Sequence, residues 1–118
     1  DSPPYRGDET MKKNCALISR HPLSAEQRAS LKGYRILQIN PPGRLWSAAD
    51  AIALSQNACG GWPDLYVVVM PLMMLKSFVE QVNGTVPILR QTPDFSGQWV
   101  RVTGVHIVTE IWTPKGLQ

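Results

Sequence analysis

The chain has 118 residues, 43% hydrophobic and 18% charged, with a net charge of +3; this is one domain of ordinary globular composition, which argues against a chain disordered throughout. Its longest nearly apolar stretch, Leu65 to Leu75, falls far short of the roughly 20 residues a membrane-spanning helix needs, and the polar start has no apolar signal core. Cys15 and Cys59 are too few for a disulfide framework and have no His/Cys neighbours for zinc, so both read as reduced, buried residues of a cytoplasmic protein.

Residues 1–10 (DSPPYRGDET) hold three acids against one arginine, so the remainder carries +5. Met11-Lys12-Lys13-Asn14 reads like a bacterial start followed at once by an apolar run. Residues 1–10 are therefore expected to be a disordered or non-native extension, with residues 11–118 as one domain.

Cys15 to Ser19 is an apolar run of strand length, broken by His21-Pro22-Leu23. Ser24 then serves as an N-cap with Gln27 three residues on, the spacing of a capping box. That predicts a short helix over Ala25 to Lys32, stopped at Gly33. Tyr34 to Ile39 reads as a second strand, ended by Asn40-Pro41-Pro42-Gly43 because prolines offer the ladder no donors. Ser47 precedes an Ala-rich helix over Ala48 to Asn57, closed by Gly60-Gly61.

Asp64 to Met70 is continuously apolar after its first residue and β-branched at Val67, Val68 and Val69, the pattern of a central strand covered on both faces. Pro71 starts the next helix, with Leu72, Leu75, Val79 and Val82 at helical spacing and Asn83-Gly84 at its end. Met73 and Met74 flank that stripe, so the helix reads as apolar nearly all round; with Met70 they are expected as core filler. Val86 to Leu89 is a fourth strand, short or near an edge because of Pro87. Trp99 to Val102 and Val105 to Trp112 then form a hairpin around Thr103-Gly104.

Strands alternating with helices imply an α/β fold, a single Rossmann-like parallel-sheet domain of order β-α-β-α-β-α-β with a C-terminal β-hairpin. In such sheets ligands bind outside the carboxyl ends of the strands. The residues expected there are Ser19, Arg20 and His21 after the first strand, Asn40, Arg44 and Trp46 after the second, and Arg90 and Gln91 after the fourth. No carboxylate belongs to this set, and the helix starts after the first and third strands add amide donors. An arginine fork suits phosphate, whereas no Asp/Glu/His cluster is present to hold Mg²⁺ or Zn²⁺, so no metal and no cofactor are expected. GxGxxG after the first strand and GxxxxGK[ST] are both missing, which disfavours a dinucleotide oxidoreductase or a P-loop enzyme. His21 can move protons near neutrality, but it can equally fill a turn. Trp46 and Trp62 offer either a stacking face for a base or plain packing. His106, mid-strand in the hairpin, reads as a packing or surface residue.

An apolar helix in so small a chain invites cover by a second subunit, with Trp99 and Trp112 adding to the surface. A two-fold homodimer is expected.

The segment Ser19-Arg20-His21-Pro22-Leu23-Ser24-Ala25-Glu26-Gln27, entered from a strand, resembles the opening of certain small CRISPR-associated proteins with a single Rossmann-like domain. Pro63 to Leu72 and the late Arg90 are similar in placement. The likeness covers residues 14 to 112 in layout, and the His-Pro-Leu-Ser run is its specific part. That group includes ring nucleases, which cleave cyclic oligoadenylate at a dimer interface without metal. The resemblance implies attack of a 2′-hydroxyl on the adjacent phosphate, with Arg20 and His21 as the catalytic pair. Arg20, Arg44 and Arg90 would hold phosphate, and Ser19, Trp46 and Gln91 would complete the ligand-binding set. The expected partners are a second copy of the chain and a cyclic or linear oligonucleotide, with no membrane. The alternative from another class is a non-enzymatic accessory module of a mobile element or defence system, docking through the apolar helix and the Trp-bearing hairpin.

Overall fold

A computed structural model describes residues 12–42, 46–92, 95–103 and 108–112. The expectations for residues 1–10, Arg44 and His106 lie outside the described residues. Nine elements follow in chain order: β1 (Lys13–Ile18), α1 (Ala25–Ser30), β2 (Tyr34–Ile39), α2 (Ala48–Cys59), β3 (Leu65–Val68), α3 (Leu72–Val82), β4 (Ile88–Arg90), β5 (Trp99–Thr103) and β6 (Val108–Trp112). They build one six-stranded mixed sheet of order β2-β1-β3-β4-β5-β6. The first four strands are parallel, and β5 and β6 join antiparallel. The fold is thus the expected Rossmann-like α/β domain with a C-terminal hairpin.

Pleating divides the core in two. Ala16, Ile18, Tyr66, Val68 and Ile88 point to one face, where α2 and α3 cover them with Ala48, Ala51, Leu75, Phe78 and Val82. Cys15, Leu17, Leu65, Val67 and Leu89 point to the other, beside Leu23 and Leu31 at the ends of α1. Every residue of β3 is buried, which is why this strand lacks alternation. Inside the first core the Tyr66 ring meets Phe78 edge-on at 4.9 Å, and its hydroxyl shares a 2.5 Å hydrogen bond with Ser55.

The second core is closed from an unexpected direction. With only six residues, α1 is too short to cover its face, and the β5–β6 hairpin supplies the rest. Trp99 is buried there and donates from Nε1 to Ser30 Oγ at 2.7 Å. Trp112, paired with Trp99 across the hairpin, reaches Tyr34 at 6.5 Å between ring centroids. Tyr34 begins one edge strand and Trp112 ends the other, so the sheet curls far enough to bring the end of the hairpin back over this face. Both tryptophans therefore face the core rather than forming the outward docking surface expected of them. Among the described residues of the hairpin, Val100 and Ile111, directly opposite one another, are exposed apolar side chains.

Further corrections concern the fourth strand and the helix before it. β4 is short, as expected, at three residues, but lies inside the sheet rather than near an edge; Pro87 precedes it and still serves the ladder, its carbonyl accepting from Tyr66 N–H. In α3 the buried stripe is Leu75, Phe78, Val79 and Val82, while Leu72 is exposed. Lys76, Glu80 and Gln81 give the helix a polar outer side, so only its first turn is apolar and bare. Met73 is the most exposed large apolar residue described, at 83%, and is not core filler; Met70 and Met74 are half-buried against the first core. Among the described residues no helix is long and apolar enough to cross a membrane.

A candidate anion and nucleotide site at the sheet's carboxyl edge

The direction of winding reverses between β1 and β3. From β1 the chain moves outward to β2 by way of α1, then returns past β1 to β3 by way of α2 on the opposite face. Loops leaving β1 and β3 therefore diverge and leave a crevice between them, where open α/β sheets bind ligands. Two cavities occupy it. One, of about 680 Å³, is lined by the β1 turn (Ser19, Arg20, His21), the β2 loop (Pro41, Pro42, Trp46) and the start of α3 (Met70, Met73, Met74). The second, of about 600 Å³, is lined by His21 and Ser24, by Glu26 and Gln27 of α1, and by Gln91, Thr92 and Phe95 beyond β4. Both volumes lie within the usual ~300–1,000 Å³ of ligand pockets.

The β1 turn is held from three sides. Ser19 Oγ accepts the His21 N–H at 3.0 Å, so its hydroxyl already serves the turn. Gln38 Nε2 donates to the Ser19 carbonyl at 2.9 Å. Gln91 Nε2 donates to the carbonyls of His21 and Pro22 at 3.5 and 3.2 Å. This bracing leaves the His21 side chain exposed on a fixed backbone. The Arg20 guanidinium reaches across the first cavity's rim and donates from Nη2 to the Pro42 carbonyl at 2.8 Å.

Of the expected site residues, Ser19, Arg20, His21 and Trp46 meet around the first cavity, and Gln91 lines the second. Arg90 lines neither: it ends β4, exposed, one residue out of phase with Gln91, so the pleat turns it toward the opposite face. Among the described residues, the first cavity has no carboxylate in its lining and carries Arg20. The second does have one, Glu26, contrary to the expectation of a rim free of acids.

The amide donors expected at helix starts are unequal. In α1 the capping box is complete, Ser24 Oγ accepting from Gln27 N–H and Gln27 Oε1 from Ser24 N–H, so those groups are occupied. α3 begins at Leu72 after Pro71, an N-cap residue with no side-chain hydrogen bond to offer, and its first turn borders the first cavity. Gln27 was legible only as a cap; its Nε2 also donates to the Thr92 carbonyl at 3.0 Å and ties α1 to the loop after β4. Phe95 was missed altogether, although it follows β4 in the region where the same strand-end rule applies.

Compared with family models, curated proteins and solved structures, the chain matches none. The site must be read from its own chemistry. Among the described residues no group of three His, Cys, Asp or Glu side chains is placed to hold a metal ion. Cys15 lies deep in the second core, its thiol pushed up to about 12 by burial and, to a lesser degree, by Cys59; it is no nucleophile. Cys59 is half-buried and its thiol is also raised, chiefly by burial. What converges at the crevice is one guanidinium, one imidazole, an uncapped helix start and an apolar floor containing an indole. That set can hold an anion beside a flat aromatic group.

Proposed function

We propose that the protein binds a phosphate-bearing nucleotide at this crevice. The observation that carries the reading is the first cavity, where Arg20 and His21 stand over Trp46, Met70 and Met74 at the point where winding reverses. Phosphate would take the Arg20 fork and the first-turn amides of α3, and the base would lie on the apolar floor.

The finer reading is a homodimeric, metal-independent ring nuclease acting on cyclic oligoadenylate. His21 would accept the proton of a ribose 2′-hydroxyl as its oxygen bonds to the adjacent phosphorus and the bond to the 5′-oxygen breaks. Solvent would protonate that leaving oxygen, and Arg20 would stabilise the charge developing on the phosphoryl oxygens. Exposed Val69 and Met73 line the cavity and exposed Leu72 stands next to Met73 in the chain, so a second copy covering this trio would set two sites side by side and match a cyclic ligand.

The test is incubation with labelled cyclic tetra- and hexa-adenylate in EDTA, with binding by calorimetry and products by chromatography. Binding is expected to weaken at least tenfold in Arg20→Ala, with little rescue by Arg20→Lys, whose point charge lacks the fork. Cleavage is expected to vanish in His21→Ala while binding persists. Absence of both binding and turnover in the wild type would refute the nucleotide reading. Met73→Lys is expected to give a monomeric mass in light scattering if the trio is the dimer contact.

A second reading is favoured by the same trio. Exposed apolar side chains on the bare first turn of α3 suit a protein partner, in which case the chain is an accessory docking module. Partner capture abolished by Met73→Lys and indifferent to Arg20→Ala would select it.

A further inference from the structure

We infer that the two cavities are the lobes of one site, which takes a dinucleotide unit with a base in each lobe and the linking phosphate over His21. The inference rests on the nucleotide reading and sets the length of ligand each protomer holds. Its basis is that His21 and Val69 line both cavities, forming a ridge shared by two spaces of about 680 and 600 Å³. Each lobe is large enough for a nucleoside, so a mononucleotide seated in one would leave the other empty.

The lobes differ in chemistry, and the difference orients the ligand. The first has an apolar floor with the Trp46 indole, and its described lining holds no carboxylate. The second offers Phe95, whose ring is braced at 4.9 Å by Trp99, as an aromatic wall. Its polar lining is rich in acceptors. Glu26 brings a carboxylate, and Gln91 Oε1 is buried with no hydrogen-bond partner among the described residues, while the Nε2 of the same amide donates to the His21 and Pro22 carbonyls. Acceptors repel phosphate and reward N–H donors, so the second lobe suits a base with an exocyclic amine. The anion is then confined to the ridge at His21 and the adjoining rim of the first lobe, where Arg20 stands. Aromatic faces on either side of one fixed phosphate position are what a two-base, one-phosphate unit requires, whether linear or part of a ring.

Calorimetric titration with AMP, adenylyl-3′,5′-adenosine (ApA) and the two analogues in which one adenine is replaced by hypoxanthine tests this. ApA is expected to bind at least tenfold tighter than AMP, and one of the hypoxanthine analogues is expected to lose that gain. Phe95→Leu keeps apolar volume against Trp99 but removes the aromatic face; it is expected to bring ApA to the affinity of AMP and leave AMP unchanged. Trp46→Leu is expected to weaken both. If AMP binds and ApA is no tighter, the bipartite site is refuted and the single-lobe nucleotide reading stands. If Phe95→Leu weakens AMP as much as ApA, the assignment of lobes is overturned. If neither ligand binds, the nucleotide reading falls with it.

Discussion

Cys15 illustrates how a single buried group imposes a pH dependence on the whole molecule. Its thiol is pushed up to about 12 in the fold, against roughly 8.5 in an unfolded chain. The native state thus holds the proton more tightly, so this contribution to stability is complete below about pH 8.5 and is lost as pH rises toward 12. Burial also raises Tyr34, Tyr66 and Cys59, which act in the same direction at alkaline pH. Urea midpoints measured at pH 8 and pH 10 should fall with pH, and Cys15→Ala should show a smaller fall. At pH 8 Cys15→Ala is expected to be less stable than wild type, because it leaves a small void between Leu17 and Leu65. The thiol itself should resist alkylating reagents in the native protein and react on unfolding.

At the scale of elements, Gln27 joins a local signal to a distant one. The sequence spacing Ser24–Gln27 announces the capping box, and the observed bonds of 3.0 and 3.1 Å agree. Nothing in that spacing announces the bond from Gln27 Nε2 to the Thr92 carbonyl, 65 residues away. Gln27→Ala is expected to cost about 1–3 kcal/mol by removing its two bonds, to the Ser24 N–H and the half-buried Thr92 carbonyl. Gln27→Glu keeps an acceptor for Ser24 but sets a carboxylate oxygen against a carbonyl, and should cost more; chemical denaturation of both variants checks this. The same division explains how far the elements could be read beforehand. Caps, the left-handed Gly60 at φ 73° that closes α2 and the apolar run of β3 depend on neighbours in sequence, and all were legible. The interior place of β4, the exposure of Leu72 and Met73 and the separation of Arg90 from Arg20 depend on which strand lies beside which. Strand order is set by long-range packing and leaves no local trace. Rim residues could be named from the strand-end rule, yet which of them reach a cavity depends on pleat and strand order: Gln91 lines the second cavity, and Arg90, one position out of phase, lines neither.

On the scale of the whole molecule, the two faces of the sheet are covered by different means. Two helices cover one side, whereas a six-residue helix and a twisted hairpin share the other. Adjacent residues of the final strand consequently differ in importance. Trp112, packed against the second core and Tyr34, is expected to cost about 1–3 kcal/mol on replacement by Ala, but Ile111→Ala, at an exposed site, should cost under about 0.5 kcal/mol. Paired thermal melts of these variants measure the contrast. Equal effects would mean that the hairpin's return over this face contributes no stability.

That return also bears on synthesis. The ribosome delivers Leu17, Leu65 and Val67 well before Trp99 and Trp112, so one side of the growing sheet stays wet until the hairpin emerges. Contacts spanning most of the chain form late and slowly. During that interval the half-built protein presents a greasy strip and an unpaired β4 edge, making the nascent chain, rather than the finished one, the form most in need of a chaperone.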